Sequence, residues 1–268
     1  MEQRVSSFAG GQIPLVVSTR IPENFTHGFT TRHGGVSVPP FASFNLGWKW
    51  GDDPTAVDEN HRRLLAISGA KVMLRASQVH GVRILRVRAG DDPSAIANER
   101  ADGLITNDPR IGISVHVADC TPILLACPRT GAAAALHSGW RGTVAGIATA
   151  GVKTMVAEFG CRPDELFAVL GPCIGACCFE VGPEVVQAFL EVMPTAWENG
   201  VILSVHDHKP RVDLRRFQRL QLELAGLTPQ NIDDPTDCTV CDSANRFFSF
   251  RKSGRITGQL VGFILGKG

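Results

Sequence analysis

GISVHVADCTPILLACPRTGAAAALHSG, residues 112–139, decides the fold class. GISVHV, TPILLAC and AAAAL are short apolar runs that follow one another without space for a helix between them. Runs of this length bounded by turn residues read as buried strands, with PRTG as the turn before the third. Working outward, MLRASQVHG (73–81), RILRVRAG (83–90) and ADGLITN (101–107) read as strands upstream. LFAVLGP (166–172), RFFSF (246–250) and TGQLVGFIL (257–265) do so downstream. NFTHGFTTRHGGVSV (24–38) reads as a short strand entering a Gly-Gly turn, and 39–51 as a Pro- and Gly-punctuated loop.

Helical spacing is expected over 52–68, where Asp52 or Asp53 caps and Pro54 opens the helix, and over 143–159, which Gly160 ends. Two more helices are expected in 182–193 and 212–227, the latter closed by Gly226. Strands outnumber helices and come in consecutive runs. The class is therefore α+β, not an alternating doubly wound fold. No repeat or low-complexity linker divides the chain, so residues 1–268 read as one domain.

The 268 residues are 44% hydrophobic and 20% charged, with a net charge of +1. That balance offers no basic surface for nucleic acid. No apolar run approaches a membrane span, and the N-terminal stretch lacks the pattern of a secretory signal. A cytoplasmic protein, monomeric or a small homo-oligomer, is expected. Its eight cysteines then suggest metal or catalysis before disulfides. Tyrosine is absent, which removes any mechanism needing a phenol from this chain.

Three polar residues end apolar segments beside tight turns: His80 in QVHG, Cys120 in VADC and His137 in LHSGWRG. Two imidazoles and one thiolate make the three-ligand set of a catalytic zinc site, which keeps its fourth position open. No local metal motif joins them. The competing account is two hydrogen-bonded histidines and a small buried thiol.

TTRHGGVS, FNLGWKWGDD, ENHRRL, QVHG, ADGLITN, VADCTPILL, LHSGWRGT, GPCIGACCFEVG, VDLRRFQRLQL and FFSFRKSGRITG occur in this order. Together they resemble the multicopper polyphenol oxidase/purine nucleoside phosphorylase family, the YfiH or DUF152 group, over roughly residues 25–266. The resemblance implies a layered sandwich of mixed β-sheets flanked by helices, likened to a toxin deamidase fold. It implies His80, Cys120 and His137 as metal ligands. Phe179 and Phe250 stand where the family often has tyrosine.

The implied activity is phosphorolysis of adenosine, inosine, guanosine and methylthioadenosine, with deamination of adenosine. Zinc on the three ligands would activate a water toward C6 of adenosine. Asp119 and Glu180 are the candidate carboxylates for proton transfer, Asp119 alternatively orienting a ligand imidazole. Arg32 and Arg141, each among turn residues, are candidates for phosphate, and Asn45 of FNLG completes the substrate set.

Other readings fit the same residues: a metal-independent hydrolase with Cys120 as nucleophile and His137 as base, or a copper-dependent polyphenol oxidase. A non-enzymatic redox or partner-binding protein is a third. Copper fits less well, because none of the four methionines lies in a ligand-like loop. CTVC (238–241) is a lone C-x-x-C and C-x₃-CC spans 173–178; these cysteines could pair in space as a structural zinc site, but without a second motif at standard spacing they read first as buried or half-buried thiols. VHDHKP (205–210) reads as a solvated polar turn.

Overall fold

The computed structural model describes residues 1–8, 11–204, 209–254 and 256–267, with only the backbone of Phe8. The turn around His206 and His208 lies outside the described residues. The chain opens with β1 (Glu2–Phe8), β2 (Gly11–Val17), β3 (Phe25–Thr30) and α1 (Pro54–Ser68). Next come β4 (Val72–Leu74), β5 (Ile84–Arg86), α2 (Pro93–Asn98) and β6 (Gly103–Thr106). The central run is β7 (Ile111–Val117), β8 (Thr121–Cys127) and β9 (Ala132–Ser138), followed by α3 (Trp140–Val144) and α4 (Ile147–Phe159). β10 (Phe167–Leu170), α5 (Pro183–Val192), β11 (Ile202–Leu203), β12 (Arg211–Val212) and α6 (Leu214–Leu224) follow. β13 (Ile232–Asp233), α7 (Phe250–Ser253) and β14 (Leu260–Gly266) complete the order.

The fold is α+β, with two six-stranded mixed sheets, β1-β2-β3-β14-β7-β4 and β13-β10-β8-β9-β6-β5. Between them lies a shared core in which Phe29, Ile113, Val115 and Ile264 meet Leu124, Ala126, Ala133 and Ala135. On the outer face of the second sheet, Ile123, Leu125, Ala134 and Leu136 pack against Val152 and Met155 of α4 and Leu222 of α6. On the outer face of the first, Ile13, Leu15 and Phe263 pack against Leu64 of α1. Alternate residues of β8 and β9 thus feed two different cores, which is why these strands read as continuous apolar runs.

β8 and β9 form an antiparallel hairpin with Thr121 opposite Ser138 and Cys127 opposite Ala132, and Gly131 supplies the left-handed turn residue (φ 68°). β7, their predecessor in sequence, belongs to the other sheet. The chain therefore crosses from sheet to sheet between Val117 and Thr121. Asp119 takes φ 96° within that crossing, a left-handed conformation that L side chains rarely adopt.

Several sequence expectations need correction. The helix expected over 143–159 is two helices, because Gly146 (φ 86°) takes the left-handed conformation between them. RFFSF is no strand: Phe247 and Phe248 are buried in the inter-sheet core, and Ser249 caps α7. QVHG is a turn, with His80 at φ 63°. The hairpin of β1 and β2 and the short helix α2 went unforeseen. Asp53 caps α1 as expected, its side chain accepting from the Thr55 N–H at 2.9 Å.

Candidate metal and substrate site

The crossing places Cys120 at the entrance of β8, directly opposite the end of β9, where Pro122 pairs with His137. Asp102, fully buried just ahead of β6, assembles the rest. Its carboxylate accepts backbone N–H groups from His80 at 2.8 Å, Gly81 at 2.7 Å and Val79 at 3.2 Å. That grip holds the left-handed turn that presents His80. The same carboxylate lies 2.8 Å from His137 Nδ1. With Nδ1 engaged, Nε2 is left as the free donor of His137.

His80, Cys120 and His137 each bring a ligand atom within 4.8 Å of the others. His80 Nε2 lies 3.8 Å from Cys120 Sγ, and the two imidazoles meet edge to face at 4.8 Å between centroids. His80 is exposed at the rim, Cys120 half-buried and His137 buried. Gly139 makes the gathering feasible. A Cβ there would stand 2.7 Å from His80 Cδ2 and 3.0 Å from Cys120 Sγ. Burial pushes the Cys120 thiol up, but the adjacent His137 imidazolium, its hydrogen bond and His80 outweigh that and bring it to about 6. Burial would depress His137; the Cys120 thiolate and the bond to Asp102 instead raise it to about 9. Two nitrogens and an anionic sulfur with one side open match a metal's donor chemistry, so the residues fit such an ion.

These donors open into a cavity of 340 Å³. Lys49 and Arg251 bring cations to its wall, and Trp50 and Phe250, with ring centroids 6.0 Å apart, bring aromatic faces. Phe179 and His116 line it as well, and burial holds His116 well below the ordinary histidine range. Both phenylalanines at frequent tyrosine positions therefore face this cavity.

Asp119 is the one carboxylate on the wall among the described residues, and its oxygens accept from Thr239 Oγ1 at 2.5 Å and from the Arg251 N–H at 2.6 Å. It does not orient a ligand imidazole; Asp102 does that for His137. Glu180 is not on the wall, and its carbonyl accepts from Arg251 at 3.1 Å. Nor is either arginine put forward for phosphate. Arg32 braces a turn, donating to the Ala42 carbonyl at 2.9 Å with its guanidinium over Phe248. Arg141 stacks on Trp140, exposed and off the cavity. Asn45 is fully buried, its amide donating to the Gly47 carbonyl and Asp52 while its oxygen accepts from Gly47 and Gln259. It pegs two loops together.

Sequence reasoning missed Asp102, Lys49, Trp50 and Arg251 as site residues. The first lies in ADGLITN and the next two in the WKWG loop, but nothing in either spacing aims them at His80 or Cys120.

The family model described as multi-copper polyphenol oxidoreductase laccase matches residues 26–267, nearly the whole chain. The chain belongs to the YfiH/DUF152 family. One relative in this family is the Escherichia coli purine nucleoside phosphorylase YfiH, 37% identical over 239 residues and covering 88% of this chain and 91% of its own. The mouse purine nucleoside phosphorylase LACC1 is 38% identical over 263 residues. This chain spans only 58% of the length of that relative, and 58% of its human counterpart. Among solved YfiH/DUF152 structures, the crystal structure of YlmD from Geobacillus stearothermophilus superposes with a TM-score of 0.89 at 31% identity, covering both chains fully. The Bacillus licheniformis YfiH structure gives 0.85 at 32% identity, covering 91% of this chain and 93% of that one.

Proposed function

We propose that this chain is a zinc-dependent purine nucleoside phosphorylase with accompanying adenosine deaminase activity. One observation carries the reading: three ligand donors, two cations and two aromatic faces share a single cavity. The relatives described as purine nucleoside phosphorylases support it.

His80, Cys120 and His137 hold the ion, which supplies Lewis acidity when bound. Each remaining requirement falls to a residue of this chain. Trp50 and Phe250 offer flat faces to a purine. Lys49 and Arg251 offer charge to phosphate. Asp119 accepts two bonds, which leaves lone pairs for a third partner, and in this reading it takes and returns the proton. Zinc is favoured over copper because a His₂Cys copper site adds an axial methionine, and none lines this cavity among the described residues. Among the described residues the only other cluster of three or more metal-ligating groups is made of cysteines alone, which is not the histidine-rich set that several coppers require.

The test incubates the purified protein with adenosine, inosine, guanosine and methylthioadenosine in turn, with and without phosphate. Phosphate-dependent release of free base and ribose-1-phosphate is expected, with ammonia from adenosine. No product from any nucleoside would end the proposal. A second reading rests on the Cys120–His137 pair backed by Asp102, the arrangement of a thiol hydrolase. Full activity after exhaustive chelation would favour it; loss on chelation and return with Zn²⁺ would favour the metal.

A further inference from the structure

A second set of donors stands apart from the cavity's ligands. Cys177 and Cys178 lie between β10 and α5, and Cys238 and Cys241 between β13 and α7. All four Sγ atoms fall within 4.8 Å of one another, Cys177 and Cys241 at 3.5 Å. Spacing alone makes this only a weak expectation, because one pair is C-x-x-C and the other vicinal, far apart in the chain. A parallel bridge between Cys173 and Cys238, with the Thr239 N–H donating to the Cys173 carbonyl at 3.0 Å, lays the two loops side by side.

We propose that Cys177, Cys178, Cys238 and Cys241 bind one structural Zn²⁺ as a closed four-thiolate site. A tetrahedral ion with Zn–S bonds of about 2.3 Å separates its sulfurs by about 3.8 Å. The observed spread fits that with small side-chain shifts. Mutual closeness of all four sulfurs is what a single ion demands, whereas two disulfides would need closeness only within pairs. An iron–sulfur cube gives each thiolate its own iron and would spread the sulfurs further. Four thiolates, with no carboxylate among them, select a soft or borderline ion over magnesium or calcium.

The surroundings suit a bound anion. The Gly175 N–H donates to Cys238 Sγ at 3.2 Å. Arg251 donates to the Cys178 carbonyl at 3.2 Å, and Arg215 to the Asp237 carbonyl at 2.7 Å. Two guanidiniums thus flank a centre that carries about two negative charges when loaded. Each thiol entering the site gives its proton to solvent.

The ion would act on the cavity through Asp119. The loop of the first cysteine pair supplies the Ile174 N–H to the Asp119 carbonyl at 2.9 Å, and the C-x-x-C supplies Thr239 to its carboxylate. Pinning the two loops together holds the strained residue that precedes Cys120.

The experiment is metal analysis of protein purified without added ions, on wild type, Cys120→Ala and Cys241→Ser. Wild type is expected to carry two zinc ions per chain, and each variant one. Because Cys241→Ser can misfold, wild type and Cys120→Ala are also reconstituted with Co²⁺. Intense sulfur-to-cobalt charge transfer of a four-thiolate centre is expected to persist in Cys120→Ala. A metal-free Cys120→Ala protein without that band would overturn the proposal, as would non-reducing peptide mapping that finds Cys177 or Cys238 in a disulfide. Neither result depends on turnover, so the proposed nucleoside chemistry stands or falls separately.

Discussion

Gly139 owes its place to neither a turn nor a left-handed backbone, since its φ is −74°. The space its missing Cβ would fill is taken by His80 and Cys120. Gly139→Ala is expected to push the His80 ring outward and to lower zinc affinity at the cavity at least tenfold, while the circular dichroism spectrum stays unchanged. Competition against a chromophoric chelator measures it, and unchanged affinity would show that the ring needs no such room. Cys120 permits a second residue-level test. With its thiol lowered to about 6 beside a His137 raised to about 9, the pair is thiolate and imidazolium between those values. In chelator, the alkylation rate of Cys120 should rise with pH to a half-maximum near 6, well below the usual thiol range. Asp102→Asn withdraws the charge that supports the imidazolium, and it should move that midpoint upward. A midpoint that stays put would remove Asp102 from the pair's electrostatics.

At the scale of elements, Gly151 sets how closely α4 lies on β9, because a Cβ there would overlap Leu136 Cδ1. Two effects oppose one another in Gly151→Ala. Helix propensity gains about 1 kcal/mol, while overpacking a filled core costs about 1–3 kcal/mol. Leu136 is fully buried, so overpacking wins and the urea midpoint should fall by the equivalent of about 1 kcal/mol. A rise would mean that Leu136 can turn aside. The same packing explains what could be read in advance. β7, β8 and β9 were visible because burial on both faces makes them apolar throughout. Asp53-Pro54 marked α1 through cap chemistry, and Asp92-Pro93 carries the same signal for α2. β1 stayed hidden because EQRVSSF is polar and largely exposed, paired only along one edge. The three candidate donors were legible as polar residues beside tight turns, and it was the family resemblance that joined them into one ligand set. Lys49 and Arg251, which reach the cavity wall, and Asp102, which grips His80 and His137 from behind, were not, since they come from separate segments that only the fold brings together.

Across the whole molecule, three histidines outside the ligand set are held neutral. Burial takes His27 and His61 down to about 4 and holds His116 well below the ordinary histidine range. The Ser18 N–H donates to His27 Nε2 at 3.1 Å, a bond that protonation destroys. The unfolded chain takes up the protons of His27 and His61 near pH 6.5, the native protein only near 4. Stability is thus complete above about 6.5 and is lost as pH falls toward 4, on the order of 1–3 kcal/mol each for His27 and His61. Melting temperatures recorded in chelator from pH 7 to 4 should show the decline, with a shallower slope in His27→Gln. A flat profile would mean that these rings are solvated.

The β8–β9 ladder is also a ruler. Cys120 and His137 stand at one end, and the PRTG bend closes the other, with seven paired residues in each strand between. At about 3.3 Å per residue the bend lies about 23 Å from the donors. A fluorophore attached at exposed Arg129 would therefore ride on the same stiff backbone as the site without touching it, a fixed vantage from which to time the arrival of a quenching ion such as Co²⁺.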